Sequence, residues 1–415
     1  MLPGSHSDVQ RADGLFGALV IHKPLSEGGI SEDHQFAYEE EQALVIGDWY
    51  HRSAAEVLSS YRDWKNFKIE PAPDSMLLNG KGYFKCSQAT KSNPVDCIET
   101  QLSHLTLPGR TRLRIINAGA LTGFSLITTG YTMTLVQVDG GNPVEATRSE
   151  TVGILYPGER MDLILERKDS SEYESAWITV ALDRENMQFP NLALTERQQF
   201  PIAPSLERRS RTPAETPPAG VAEVSWINLA ATNGPSKDPS GMITEAEETI
   251  LLYATISYLT EYEYRPKGFI NHTSWNPSDH SSSPLLAVER KDWPEDPKPL
   301  VVKVQHGRWV HIVLNNLDDK GHPFHLHGHD FQVLATHTPS RTGAFEQYNP
   351  FDEASRTSAG ELNFDNPVTK DTVYVPSMGY AILRFQAENP GLWLFHCHVL
   401  WHEAVGMNMA IDTRE

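Results

Sequence analysis

The chain has 415 residues, 39% of them hydrophobic, a formal net charge of −19 and a pI near 5.3. That is apolar material for two or three globular cores, and the acidic balance argues against nucleic acid or an anionic membrane surface as a partner, since both repel it. No apolar run reaches the roughly 18–20 residues that a spanning helix needs, and residues 15–21 are too short an apolar stretch, with no basic segment before them, to read as a signal peptide.

From Glu40 onward the chain reads as a β domain. Residues 43–51 form an apolar run ending in a polar turn, and residues 110–116, 132–138 and 160–165 are further β-rich runs separated by Gly, Pro and Asn. Short strands at such spacing predict a β-sandwich over residues 40–185. No clustered Cys/His set falls there, so packing roles are expected. Cys86 and Cys97 lie eleven residues apart across a turn-rich stretch. A disulfide between them would contribute roughly 2–4 kcal/mol and would point to an oxidising, extracellular or secretory compartment. The sequon Asn271-His-Thr273 is a weaker sign of the same placement.

Residues 186–222 are rich in Pro and charge and read as a linker. Their basic tetrad, Arg208-Arg-Ser-Arg211, is short and sits in an acidic chain, so a solvated segment is expected rather than a nucleic-acid patch. Residues 223–415 again show alternating runs, at 300–306, 308–314 and 381–385. A second sandwich follows. The fold class is therefore all-β, with sandwich domains in tandem.

The chemistry is concentrated near the C-terminus. Of 17 histidines, seven fall within residues 322–329 and 396–402, where an even spread would place fewer than one. If residues 324–334 are one strand, His325 and His327 share a face; by the same period His396 and His398 share a face and Cys397 points the other way. One strand would then serve two metal centres. His402 and Met407 follow Cys397 at five and ten residues, and two imidazoles, a thiolate and a weak thioether form a blue-copper ligand set. A short helix over 399–404 would return His402 to Cys397, and residues 336–367 read as a long loop.

His322-Pro-Phe-His325-Leu-His327-Gly-His329, followed by His396-Cys397-His398 with His402 and Met407, resembles the C-terminal copper motifs of the multicopper oxidases, the family of laccases, ferroxidases and ascorbate oxidases. The resemblance implies tandem cupredoxin-like Greek-key domains. It implies that His322, Cys397, His402 and Met407 hold a type 1 copper, that His325 binds a type 2 copper, and that His327, His396 and His398 bind a type 3 pair. His329 matches no ligand position, so a supporting role is expected for it. Cys397 and His402 are the residues implied in electron transfer, His402 nearest the substrate. The implied activity is one-electron oxidation of a small reducing substrate of phenolic type, coupled to reduction of O₂ to water.

By the same resemblance, Tyr156-Pro-Gly-Glu-Arg160 belongs to a second family domain, and residues 1–30 look like the end of a first one, with His6 as the second member of a His-x-His pair. Gly4 stands where the first member would be. The family's three-copper centre needs eight histidines, and these motifs supply five. The expectation is a truncated member with an intact electron-accepting centre and partial type 2 and type 3 sites. Two alternatives remain open: a ferroxidase, which would need carboxylates near His402 to hold a hard Fe(II) ion, and a copper-binding remnant without turnover.

Overall fold

The computed structural model describes residues 6, 8–22, 30–89, 104–168, 176–203, 226–235, 246–277, 285, 289–292, 299–341, 343–358 and 362–414. The chain divides into two compact units, each containing two sheets. The first comprises Phe16–His51 and Ala72–Thr232; the second comprises Ser5–Leu15, Arg52–Pro71 and Asn233–Glu415.

In the first unit one six-stranded sheet runs in the order Ser75–Leu78, Glu40–Trp49, Thr111–Asn117, Arg160–Arg167, Tyr131–Val138, Asn142–Ser149. Its Glu40–Trp49 strand is parallel to Thr111–Asn117, and the other neighbours are antiparallel. The second unit repeats this pattern with Lys267–Ile270, Glu248–Ser257, Trp309–Asn316, Tyr380–Gln386, Phe331–His337 and Val368–Lys370, again with one parallel pair in second place. A parallel pair among antiparallel strands requires a crossover connection. Leu44, Ile46, Leu113, Ile115, Met133, Leu135, Met161, Leu163 and Leu165 are buried in the first unit, and Leu252, Ile312, Leu314, Leu383 and Phe385 in the second. In most of these strands they fall on alternate positions, the period-2 burial of a sheet face covered by a core.

The second unit's other sheet carries the site. Its order is Val301–Lys303, Asn408–Asp412, Leu392–Cys397, His322–Leu326, Thr372–Val375. His322–Leu326 lies antiparallel to Leu392–Cys397, with Phe324 opposite Cys397 and His325 opposite His396. The single strand expected over 324–334 is in fact two. Gly328 takes a left-handed turn at φ +73, and the chain leaves one sheet to enter the other at Phe331. Glycine is required at that bend, because a Cβ there would meet the Trp393 ring at 2.4 Å.

Asn316, wholly buried at a strand end, fastens the turn leading into His322: its Oδ1 accepts from the Asp318 N–H, and its Nδ2 donates to the Lys320 and Pro376 carbonyls. The helix Ala54–Tyr61 begins at a capping box formed by Ser53 and Glu56 and buries Ala54, Val57, Leu58 and Tyr61, the one-sided stripe of an amphipathic helix. The short helix expected after Val399 spans Leu400–Ala404. The loop expected over 336–367 begins after His337 and contains the helix Glu353–Ser358. Cys86 opens a 3-10 turn, Cys86–Gln88, whereas Cys97, Gly4 and residues 204–222 of the expected linker lie outside the described residues. The earlier part of that stretch is not a solvated linker: Arg197–Ala203 is a strand antiparallel to Ala176–Leu182, with Gln198, Phe200 and Ile202 buried.

Candidate metal centre

Two groups of metal-capable side chains form among the described residues: His322, Cys397 and His402, all buried, and His6, His327 and His396. Cys397 and His396 are sequence neighbours but belong to different groups, because consecutive residues on a strand face opposite ways.

In the first group His322 Nδ1 and His402 Nδ1 stand 3.0 Å apart, and Cys397 Sγ lies 3.6 Å from each. Their other ring nitrogens face carboxylates: His322 Nε2 is 2.8 Å from Asp318 Oδ2, and His402 Nε2 is 3.3 Å from Glu70 Oε1. Asp318, by taking the Nε2 proton of His322, leaves that ring's Nδ1 as a lone pair turned toward His402 Nδ1 and a sulfur, while His402 Nε2 faces Glu70 without a hydrogen bond. Three donor atoms that converge within 3.6 Å make a set that a cation stabilises. The residues thus fit a soft metal ion, and two imidazoles with a thiolate are a donor set for copper. Burial pushes the Cys397 thiol well above its ordinary range, with Glu403, Glu70 and Asp318 adding to the effect; a coordinated metal reverses that balance by binding the thiolate. Met407, fully buried, is tied to the group through its backbone, its carbonyl accepting from Cys397 N–H and its own N–H donating to the His402 carbonyl.

Asp318 and Glu70 are the residues that sequence reasoning missed here. Asp318 Oδ1 accepts from Thr255 Oγ1 at 2.8 Å, and Oδ2 from the Ile256 N–H at 2.8 Å as well as facing His322. Glu70 is 4% exposed; Tyr61 donates to its Oε1 at 3.2 Å, and Lys320 Nζ is 3.7 Å away. Burial alone would raise the Glu70 pKa, but His402, Lys320 and His322 bring it down to about 2, so it is a carboxylate at neutral pH. Asp318 could have been suspected from its place four residues before His322. Glu70 carries no local signal, since it comes from the separate segment Arg52–Pro71.

In the second group His327 Nε2 and His396 Nε2 are 3.2 Å apart, and the His6 ring centroid lies 4.8 Å from that of His327 and 5.2 Å from that of His396. Acceptors hold the back of two of these rings: Glu403 Oε1 is 3.0 Å from His6 Nδ1, and the Cys397 carbonyl is 3.0 Å from His396 Nδ1, with Glu403 Oε2 3.7 Å from the same nitrogen. That turns their Nε2 atoms inward. Burial, joined by the neighbouring imidazoles, lowers the pKa of His327 to about 3 and drives that of His396 far below its ordinary value.

His325 and His398 stand beside this group but outside it. Their ring centroids are 5.9 Å apart; His325 Nδ1 is 2.8 Å from the Asp371 carbonyl, and His398 Nδ1 is 2.8 Å from Arg11 Nη1. His329 packs edge-on against Phe385 and Trp393 and joins neither group.

The relatives of this chain fit that chemistry. It is 27% identical to laccase-2 of Cryptococcus neoformans var. grubii and 28% identical to the iron transport multicopper oxidase fetC of Epichloe festucae, matching over 97% of its own length in both. It spans 66% and 59% of those two proteins, about three fifths to two thirds of the length of such relatives. Among solved structures it resembles Fet3p, a multicopper oxidase that functions in iron import, with a TM-score of 0.77 at 21% identity over 99% of this chain and 71% of that one. The Botrytis aclada laccase gives a TM-score of 0.71 at 24% identity over 99% and 69%. These likenesses place the fold among cupredoxin-like multidomain proteins, as the repeated sheet pattern indicates. Family profiles described as multicopper oxidase match residues 40–195 and 265–415, the two stretches that supply most of both sandwiches, and on that ground the chain belongs to the multicopper oxidases.

Proposed function

We propose that this chain is a copper-dependent oxidoreductase that withdraws single electrons from a small phenolic-type donor at the centre formed by His322, Cys397, His402 and Met407. Copper supplies reversible one-electron chemistry to such a donor set. His402 would relay the donor's electron to a copper held by this set; Asp318 holds the His322 ring so that its Nδ1 faces inward, and Glu70 faces His402 Nε2. Cys397 is joined to His396 by one peptide bond, which gives a covalent path toward the histidine cluster, where O₂ would be reduced.

The observation that carries the choice of donor is the state of the carboxylates. A hard divalent ion needs several free oxygen ligands, whereas both oxygens of Asp318 and Oε1 of Glu70 are already engaged. A ferroxidase is the second reading, favoured by the presence of any buried carboxylate at His402 and by Glu70 Oε2, which takes no hydrogen bond. Anaerobic stopped-flow bleaching of the copper-loaded chain separates the two. Hydroquinone is expected to reduce the blue centre in one step, and Glu70→Gln to leave the Fe(II) rate within about twofold. An Fe(II) rate that falls about tenfold in Glu70→Gln, equal to about 1.4 kcal/mol of barrier, with the hydroquinone rate unchanged, would assign the site to iron.

A further inference from the structure

Arg11 is 3% exposed, and its guanidinium grips His398 twice: Nη1 lies 2.8 Å from His398 Nδ1, and Nη2 donates to the His398 carbonyl at 2.8 Å. A guanidinium has donors only and keeps its proton at any physiological pH. His398 Nδ1 must therefore accept, and the proton of this neutral ring sits on Nε2. Both nitrogens are then occupied, one by a hydrogen bond and one by hydrogen. The ring has no lone pair to offer a metal unless it gives up the contact with Arg11.

The contrast with its neighbours is chemical. His6 has its Nδ1 on Glu403, His396 on the Cys397 carbonyl and His325 on the Asp371 carbonyl, all acceptors. Each of those rings keeps its lone pair at Nε2. His398 alone among these histidines is backed by a donor. The guanidinium also carries a fixed positive charge into the cluster, and at hydrogen-bond range in a buried setting this opposes a second cation.

We propose that Arg11 withdraws His398 from metal binding, so that the histidine cluster of this chain holds a single metal ion, through His6, His327 and His396. The proposal shares with the oxidoreductase reading only the premise that these imidazoles take a metal, and its first test needs no metal at all.

In metal-free protein labelled with ¹⁵N-histidine, long-range proton–nitrogen correlation, assigned with His398→Gln, should show His398 protonated at Nε2 and bare at Nδ1. Added Zn(II), the probe, should move the signals of His6, His327 and His396 and leave those of His398 in place. A proton found on Nδ1, or His398 signals that shift together with the other three, would overturn the idea. A second arm counts copper by elemental analysis after loading and desalting: about two ions per chain in the natural sequence, rising to about three in Arg11→Leu, which removes the donor and the charge. An unchanged count in Arg11→Leu that still shows the blue absorption would also overturn it. If that variant fails to fold, the tautomer measurement on the natural chain decides.

Discussion

Cys397 is fully buried against two imidazoles, and no other sulfur-bearing nucleophile stands near it among the described residues. With copper bound, the centre is expected to show an intense thiolate-to-copper absorption, and Cys397→Ser should remove it. A folded, copper-loaded but colourless natural chain would leave the reading as a remnant without turnover. Asp318 acts one step further out: Asp318→Asn keeps the size but loses the charge that fixes the His322 tautomer. Outer partners of this kind are worth roughly 10–100-fold in metal affinity, and competition against a copper chelator should find a loss in that range, with the fold intact by circular dichroism. At Asn271 the side chain is already spent, its Oδ1 accepting from Tyr253 N–H and its Nδ2 donating to the Leu251 carbonyl. We therefore expect no glycan at that sequon, read by intact mass of the secreted chain, so it lends no support to extracellular placement. That placement rests on the proposed Cys86–Cys97 bond, which peptide mapping without reduction should find.

At the scale of elements, two glycines govern the site. Gly406, at φ +110, lies against Ser274 and Gly268 and precedes Met407, whose carbonyl accepts from the Cys397 N–H; a Cβ there would sit 2.2 Å from Ser274 Oγ. Gly406→Ala and Gly328→Ala should each cost about 1–3 kcal/mol of stability, measured by denaturant melts. Gly406→Ala should also weaken the blue band, because the strain falls beside the ligands. The two histidine motifs are legible in the sequence since each is local: alternation on a strand and one turn of helix suffice to place their members. The strand break at Gly328 was less so, because glycine in an apolar run can mean a bulge, a bend or mere close packing. Glu70, Glu403 and Arg11 mark the limit. Glu403 stands next to a ligand, yet nothing in its neighbourhood says that it reaches His6; Arg11 and Glu70 meet their histidines only through tertiary folding.

For the whole molecule, the two units should respond to acid in opposite senses through one group each. Asp183, in the first unit, has its pKa raised to about 6 by burial and by Glu185. Below that value its folded form binds a proton that the unfolded chain, with a carboxylate near 3.8, does not, so its contribution to stability improves as pH falls from about 6 toward 4. His311, in the second unit, is lowered to about 4 by burial and by Arg384. Between 6.5 and 4 the unfolded chain binds the extra proton, and stability is lost over that window. Thermal melts at pH 7 and pH 5 should show Asp183→Asn blunting the gain and His311→Gln blunting the loss; equal pH responses in the variants and the natural chain would refute both assignments.

The second unit is stitched from three stretches of chain, Ser5–Leu15, Arg52–Pro71 and Asn233–Glu415, with the first unit's residues running between them. Its centre brings His6 to Glu403 across 397 positions and Arg11 to His398 across 387. Synthesis on the ribosome proceeds from one end at roughly 5–20 residues per second, so both early stretches are made well before the residues they hold. The first unit can close while they wait, but the metal-binding unit cannot. Loop closure over such distances is slow, and during that interval a helix with one apolar face and a bare imidazole are open to solvent. Nascent chains of this protein are therefore expected to depend on a holding chaperone and to take up copper only after release.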